Sequence, residues 1–174
     1  MKHFTVQPTR REQTFSQSDI IVSKTNLKGI ITYANKTFLE VSGYTEEELL
    51  GQPHNIIRHP DMPQCVFKLL WDTIAEGQEI FAYVKNMCKN GDYYWVFAHV
   101  TPTFNNAHQI IGYHSNRRVP DRHQVELFEK IYAELRAEEQ RHADWRNGMK
   151  AAGEMLLRMV AEKQMSYDEF IFSV

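Results

Sequence analysis

The sequence predicts an α+β fold in which an antiparallel sheet carries helices on one face. Two short β-prone runs come early, within residues 20–33, and three longer ones lie within residues 80–116. Short helical patterns fill the interval between them, and a charge-rich helical tail follows residue 120. Strands and helices in this order, with hairpin signals between neighbouring strands, favour one antiparallel sheet with helices packed against it.

The early elements are defined by turn and cap residues. After a polar lead-in at residues 1–19, the runs 20–22 and 29–33 are separated by a turn-rich stretch, which predicts a hairpin. A short helix is expected to begin at Asn35 and to end at Gly43. Thr45-Glu46-Glu47-Glu48 has the pattern of a capping box at the start of another brief helix.

The middle of the chain alternates between irregular and regular patterns. Residues 51–63 are dense in proline, histidine and charge, so an irregular segment is expected there. Apolar residues at helical spacing follow Pro63 and stop near Gly77. Two long β-prone runs are then joined by Asn90-Gly91, a strong hairpin signal, and a last strand is predicted at residues 109–116.

The tail from Pro120 to about Met165 is predicted to be helical, with a broken apolar stripe. That pattern fits two helices or one kinked helix, and the stripe could fold back on the sheet or pair with another copy. Residues 167–174 have three readings, as a docking peptide for a partner, an extra strand or a frayed end.

Composition limits the classes of function. The 174 residues include 43% hydrophobic ones, and the net charge is −2, which offers no basic field for nucleic acid. The 2 cysteines have no paired spacing, as expected for a reduced cytoplasmic protein. No secretory signal and no apolar run of membrane-spanning length is apparent, so a soluble protein is expected. Motifs of common enzyme classes are also missing, and a non-enzymatic role is predicted.

Several motifs together carry a family resemblance. The runs ITYANKTF from Ile31, SGYTEEELLG from Ser42 and KNGDYYWV from Lys89, followed by Ile111-Gly112-Tyr113, resemble the signature of PAS domains. Within this pattern, GQPHN from Gly51 and RHPDMP from Arg58 are similar to the sensor domain of bacterial aerotaxis receptors. The resemblance covers residues 20–118, leaving 1–19 as a lead-in and 119–174 as a helical extension.

The resemblance implies a PAS fold with a five-stranded sheet that encloses FAD and reports the redox state of the flavin. Matching positions carry over a cofactor-facing set of Asn35, Arg58, His59, Asp61 and Asn86. Ile80 departs from the family pattern, because aerotaxis receptors have a tryptophan there. The resemblance also implies a homodimer formed through the flanking helices, and a downstream signalling protein as partner.

The chemistry of these residue types suits a flavin. Asn35 and Asn86 can donate and accept hydrogen bonds at the edge of the isoalloxazine ring, and the guanidinium of Arg58 suits phosphate. Trp71 lies on an apolar helical stripe, so it is either a core residue or an aromatic wall of the pocket. Further aromatic candidates are Tyr94, Trp95 and Phe97, although strand alternation leaves open which face is buried. Arg58 and Asp61 could instead pair across a turn.

Two other functions stay open. His54 or His59 could bind haem iron, as histidines do in other PAS domains, whereas a zinc site is disfavoured by the cysteine spacing. The chain could also be a PAS interaction module without a cofactor. The main hypothesis remains a cytoplasmic FAD-binding redox or oxygen sensor that signals through its C-terminal helices.

Overall fold

The computed structural model describes residues 6–174. Along the chain the elements are β1 (Ile21–Thr25), β2 (Ile31–Ala34), α1 (Lys36–Ser42), α2 (Glu46–Leu49), a 3-10 helix (His54–Ile57), α3 (Gln64–Ala75), β3 (Ile80–Met87), β4 (Tyr93–Phe104), β5 (Ile110–Arg118), α4 (Arg122–Gln140), α5 (Trp145–Glu162) and α6 (Tyr167–Ser173). The five strands form one antiparallel sheet in the order β2-β1-β5-β4-β3. The predicted α+β class and element order are therefore confirmed.

The short helices begin and end where their cap residues predict. The Asn35 side chain accepts a hydrogen bond from the backbone N–H of Phe38, and α1 ends at Gly43, whose φ of 74° is left-handed. Helix α2 has the predicted capping box between Thr45 and Glu48. These caps satisfy backbone groups that a short helix cannot pair internally, which is why such brief helices form at all.

The proline-rich segment covers the β3 edge of the sheet. It contains the 3-10 helix, and then Arg58 forms an isolated antiparallel bridge with Asn86 of β3. Further along, the backbone N–H of Lys85 points to the sulfur of Met62 at 3.3 Å. Pairing of this kind protects an edge strand, and it holds the segment against the sheet.

The two faces of the sheet are covered by different helices. Val84 and Ala98 point to the side of α3, whereas Tyr83, Trp95 and Phe97 point to the opposite side. On that opposite side the ring of Tyr83 stacks on Phe128 of α4, with centroids 4.3 Å apart. The helical extension is thus part of the core of the folded domain.

The tail is formed by two long helices and a short one. Helix α5 begins after Asp144, which caps it, and packs back against α4 and α3. A Cβ added to Gly148 would lie 2.3 Å from the carbonyl oxygen of Glu139, so only glycine permits this close approach. Of the two alternatives for the tail, two separate helices are confirmed. The apolar stripe packs back on the protein itself.

The last helix corrects a prediction. Residues 167–173 form α6, so an extra strand or a frayed end is wrong for this segment. Ser166 caps the helix, and the side chains of Phe170 and Ile171 are buried in the core. Burial of two adjacent large residues explains why the segment folds onto the sheet.

The lead-in packs on the turn between β3 and β4. The carboxylate of Asp92 accepts hydrogen bonds from Thr9 and Gln13, both at 2.6 Å, and lies 3.3 Å from the Arg11 guanidinium. The predicted lead-in also includes residues 1–5, which lie outside the described part of the chain. Within the described part, no helix has the length and apolar character needed to cross a membrane.

Candidate functional site

A cavity of about 290 Å³ lies between the inner face of the sheet, α3 and the 3-10 helix. Small-molecule sites commonly measure about 300–1,000 Å³, so the enclosed space is that of a small ring system. Its wall is apolar over most of its area, although about half of the residues that line it carry polar side chains. The cavity is therefore the candidate binding site.

Aromatic rings form the α3 side of the cavity. The indole of Trp71 meets the Tyr113 ring edge-on, with centroids 5.5 Å apart. Trp71 also packs on Gly29, where an added Cβ would lie 2.8 Å from an indole carbon. Nearby, the guanidinium of Arg58 lies over the ring of Phe67 at 3.8 Å. These flat surfaces suit a planar ligand.

Arg58 and Asn86 lie together on the β3 side of the cavity. Their backbones are bridged, and both side chains line the cavity. Asn86 is 4% exposed, and the Nε of Arg58 is buried without a hydrogen-bond partner. Burial lowers the pKa of Arg58 from its usual value. This side therefore offers a buried amide and a cation whose Nε has unused hydrogen-bonding capacity.

A second polar cluster lies on the β1–β5 side. Arg117 of β5 is 2% exposed, and its Nη2 donates a 2.5 Å hydrogen bond to the hydroxyl of Ser23. The same hydroxyl lies 3.0 Å from Nε2 of His54. The Arg117 guanidinium packs over the Phe38 ring at 4.4 Å. We call Arg117, Ser23 and His54 the inner cluster.

The inner cluster has a positive charge without an anionic partner. Among residues 6–174, no carboxylate makes an ion pair with Arg117, and its Nε and Nη1 have no hydrogen-bond partner. Burial lowers the pKa of Arg117 to about 10, so the group stays charged at neutral pH. Burial first, and then the Arg117 charge, lower the pKa of His54 to about 3. His54 is therefore neutral, and the charge is that of Arg117 alone.

Three of the six residues predicted to contact a cofactor line the cavity: Arg58, Trp71 and Asn86. Asn35 lies outside the lining, because its side chain ties β1 to α1. Its Oδ1 accepts from the backbone N–H groups of Val22 and Phe38, and its Nδ2 donates to the carbonyl of Ile20. All these bonds stabilise the fold.

His59 and Asp61 also lie outside the cavity lining. The Nδ1 of His59 accepts from the backbone N–H of Asp61, and burial chiefly lowers the pKa of this imidazole to about 4. The Asp61 carboxylate accepts from Lys85 of β3 at 2.8 Å and from Arg136 of α4 at 3.1 Å. The expected alternative in which Asp61 pairs with Arg58 is wrong, since these two cations take its oxygens.

Other sequence candidates divide between the two faces of the sheet. Trp95 and Phe97 lie on the side of α4 and α6, where Trp95 stacks on Tyr132. Ile80 is buried beside Ile74 and Val100, which line the cavity, but Ile80 itself is not part of the lining. The aromatic wall is therefore built from α3 and β5, and strand β4 contributes small and aliphatic side chains to the cavity.

The inner cluster was missed by sequence reasoning, apart from His54. One signal was available, because alternation along β5 places Tyr113, Ser115 and Arg117 on one face. Arginine is rarely buried unless it is paired, so an arginine on the buried face of a strand would mark a candidate site. No sequence pattern connects Ser23 of β1 to that arginine.

The family follows from a comparison with known protein families. The sequence profile described as the PAS fold matches residues 31–117. The chain belongs to the PAS family. The matched residues run from β2 to β5, so they include every strand of this PAS domain except β1. They also include most of the residues that line the cavity.

Individual proteins resemble this PAS domain to different extents. The aerotaxis receptor of Escherichia coli (strain K12) is 41% identical over 129 residues, which are 74% of this chain and 25% of the receptor. The nitrogen fixation regulatory protein of Klebsiella pneumoniae is 26% identical over 102 residues, or 59% of this chain and 21% of that protein. The chain thus spans about a quarter of the length of these relatives.

Solved structures show the same fold. The light-state structure of the blue-light photoreceptor Aureochrome1 LOV has a TM-score of 0.57 at 18% identity, covering 64% of this chain and 88% of that one. A light-oxygen-voltage domain studied with a flavin analogue has a TM-score of 0.56 at 18% identity, covering 71% of this chain and 87% of that one. The PAS fold predicted from sequence is confirmed.

Proposed function

We propose that this PAS domain binds FAD in the cavity and acts as a redox or oxygen sensor in signal transduction. The observation that carries the proposal is the cavity itself, with apolar and aromatic walls and buried polar atoms lacking partners. Its likeness to an aerotaxis receptor supports a sensory role, and its structural likeness to a domain studied with a flavin analogue supports this ligand class.

The unpaired polar atoms of the cavity support a flavin ring as its ligand. Four buried polar atoms without partners belong to three lining residues, namely Thr25, Arg58 and Arg117. Buried polar groups normally find partners, so such a set indicates a ligand that supplies them. We expect Asn86 to hydrogen-bond a ring edge and Trp71 to pack on the ring. At about 290 Å³ the cavity receives the ring, leaving the phosphates of FAD at its rim.

Positive side chains are available for those phosphates. Lys28 and Arg58 both line the cavity, and a guanidinium is suited to phosphate oxygens. Asn35, His59 and Asp61 remain in the proposed site as positioning residues, which hold α1 and the segment after the 3-10 helix. When bound, the flavin supplies reversible electron transfer, and the protein supplies orientation and electrostatic tuning.

An absorption spectrum of the purified protein tests cofactor binding. We expect the two visible and near-ultraviolet bands of an oxidised flavin, which disappear on reduction with dithionite. Chromatography of the heat-released cofactor should identify FAD rather than FMN. A single intense Soret band would indicate haem instead. A colourless protein that binds no added FAD would contradict the proposal and leave a cofactor-free PAS module.

Signal transfer is proposed to run from the cavity segment to α4. The segment from Arg58 to Cys65 is attached to this helix twice, since Asp61 accepts from Arg136 and the backbone N–H of Cys65 donates to Glu139 at 2.8 Å. A shift of the segment on reduction would therefore change the contacts of α4. The signal would reach a downstream protein through the C-terminal helices.

Hydrogen exchange of α4 in the oxidised and reduced protein tests this route. We expect different protection of α4 amides in the two states, and a smaller difference in Arg136→Gln. Arg141→Gln is the matched control, because Arg141 is exposed and, within residues 6–174, forms an ion pair with Glu138 alone. Equal protection of α4 in both redox states of the wild type would contradict the route.

Homodimerisation and a cytoplasmic location complete the proposal. The apolar stripe of the tail packs against the rest of the same chain, so a dimer would have to form through another surface. The more exposed apolar residues of α5, Trp145 and Leu157, are each 55% exposed and offer one. Sedimentation velocity across a range of concentrations should show a dimer, which Leu157→Lys should weaken. A monomer at all concentrations would contradict it.

A further inference from the structure

The inner cluster has a property that cofactor retention alone does not require. Arg117 carries a full positive charge at a position 2% exposed, and two of its guanidinium nitrogens have no hydrogen-bond partner among the described residues. A buried charge normally has a counter-ion, because removing it from water is costly. An unpaired buried cation beside a cavity therefore indicates that the missing negative charge belongs to the ligand.

The groups around Arg117 do not supply that charge. On the 3-10 helix, His54 is neutral, with a pKa of about 3. On β4, the Tyr94 hydroxyl is kept protonated by burial, which raises its pKa well above its usual range. Across the cavity, Arg58 is a second cation. On β1, the contact is the neutral hydroxyl of Ser23. Every facing group is thus neutral or positive.

We propose that Arg117 is the charge partner of the reduced flavin, binding the anionic edge of the ring and so raising the reduction potential of this sensor. The proposal rests on flavin as the ligand of the cavity. Two electrons from a low-potential reductant and one proton from solvent convert the neutral oxidised ring into an anion. The proton then lies on N5, and the negative charge is shared by N1 and the C2 carbonyl.

The consequence is a difference in affinity between the two redox states. Oxidised flavin is neutral at the ring and gains only hydrogen bonds from Arg117. The reduced anion gains the same bonds and also the attraction of the charge, in a site where water screens little. A residue that binds one state more tightly sets the equilibrium between them. Arg117 is therefore assigned to tuning, whereas Arg58 is assigned to holding the phosphates.

The decisive experiment compares midpoint potentials of the flavin-loaded protein. We expect Arg117→Gln to reduce the preference for reduced over oxidised flavin at least tenfold, which lowers a two-electron potential by about 30 mV. Arg117→Lys keeps the charge, so its midpoint potential should fall by less. Arg118→Gln is the matched control, since it removes one positive charge from the next residue of β5, at an exposed position outside the cavity lining where solvent screens it.

A second readout separates tuning from a merely structural role. Arg117→Gln removes a buried charge that lacks a carboxylate partner, so the ligand-free variant should be at least as stable as the wild type in urea. A structural role would lower the stability of the ligand-free protein and leave the potential unchanged. That pair of results would overturn the proposal.

The wild type alone provides a test that does not depend on the folding of a variant. If Arg117 keeps the reduced ring anionic, reduction takes up one proton per two electrons from neutral pH into the mildly acidic range. Uptake of two protons there would overturn the proposal. If the wild type bound no flavin, the proposed function would fail first, whereas bound flavin with an unchanged potential in Arg117→Gln would overturn this inference alone.

Discussion

At the scale of single residues, the same amino-acid types serve two distinct purposes in this domain. Asn35 and Asn86 are both asparagines predicted to face a cofactor, yet the side chain of Asn35 forms three hydrogen bonds with backbone groups. Asn86 lines the cavity instead. What separates them is the number of backbone donors and acceptors within reach, which depends on neighbouring elements.

Replacing Asn35 tests its structural assignment. Asn35→Ala removes the N-cap of α1 and leaves the backbone N–H of Val22 without its acceptor. We expect the free energy of unfolding to fall by about 1–3 kcal/mol, as for loss of a cap and of a partly buried hydrogen bond. Urea denaturation measures the change. Asn35→Asp keeps the acceptor oxygen and should lose less.

The opposite pattern would return Asn35 to the cofactor site. If Asn35→Ala kept its stability in urea but no longer bound flavin, the side chain would have to contact the ligand. If Asn35 has a structural role, flavin binding should fall in parallel with the stability of the variant. It should return at a lower temperature at which the variant is folded.

At the scale of elements, short segments are fixed by what they pack against. Helix α6 has only 7 residues, too few to be stable in isolation. It persists because Phe170 and Ile171 are buried and because the Tyr167 hydroxyl donates to the carbonyl of Phe81 at 3.1 Å. The helix thereby closes the face of the sheet opposite the cavity.

Truncating Phe170 tests the contribution of α6. Phe170 is 3% exposed, and we expect Phe170→Ala to lower the free energy of unfolding by about 3–5 kcal/mol. Phe172 on the same helix is 59% exposed, so Phe172→Ala is a matched control with a smaller expected loss. Thermal or urea unfolding of both variants provides the measurement. Equal losses would show that α6 is not docked as described.

At the scale of the whole molecule, several ionisable side chains are buried in or beside the cavity, which is unfavourable for stability. Two histidines and two arginines lie in or beside the cavity with lowered pKa values, mainly because of burial. Charged and polar groups held in this way destabilise the empty domain. Their burial is explained if the bound ligand supplies the hydrogen-bonding and charge partners of these groups.

These histidines predict how global stability depends on pH. His54 and His59 have folded-state pKa values of about 3 and about 4, below the 6.5 of an unperturbed histidine. Between those values the unfolded chain binds more protons than the folded one. The stability from the neutral histidines is therefore complete above about pH 6.5 and is lost as the pH falls.

Unfolding free energies between pH 7 and pH 4.5 test this behaviour. Each such histidine contributes a slope of at most about 1.4 kcal/mol per pH unit. We expect His54→Gln, whose amide can replace Nε2 at the Ser23 hydroxyl, to flatten the slope by up to that amount. His123→Gln is the control, because His123 is exposed on α4. An unchanged slope in His54→Gln would show that this imidazole is not kept neutral.

The amino-acid sequence by itself determined the order of the elements, the caps at Gly43 and Thr45, and the Asn90-Gly91 hairpin. These are local features, set by residues only a few positions apart, and so they can be read directly along the chain. The motif order also predicted the PAS fold. Of the residues expected to face a cofactor, Arg58, Trp71 and Asn86 line the cavity, and their contact with a cofactor stays a prediction.

Only the tertiary structure decided the face of the sheet that Trp95 and Phe97 occupy, the fold-back of α5, and the meeting of Arg117 with Ser23. Each depends on segments far apart in sequence: 94 positions separate the last pair. Strand alternation fixes which side chains share a face but not what covers that face. The predicted α+β sheet with helices on one side therefore became a sheet covered on both, with its cavity on the side of α3 and its extension on the other.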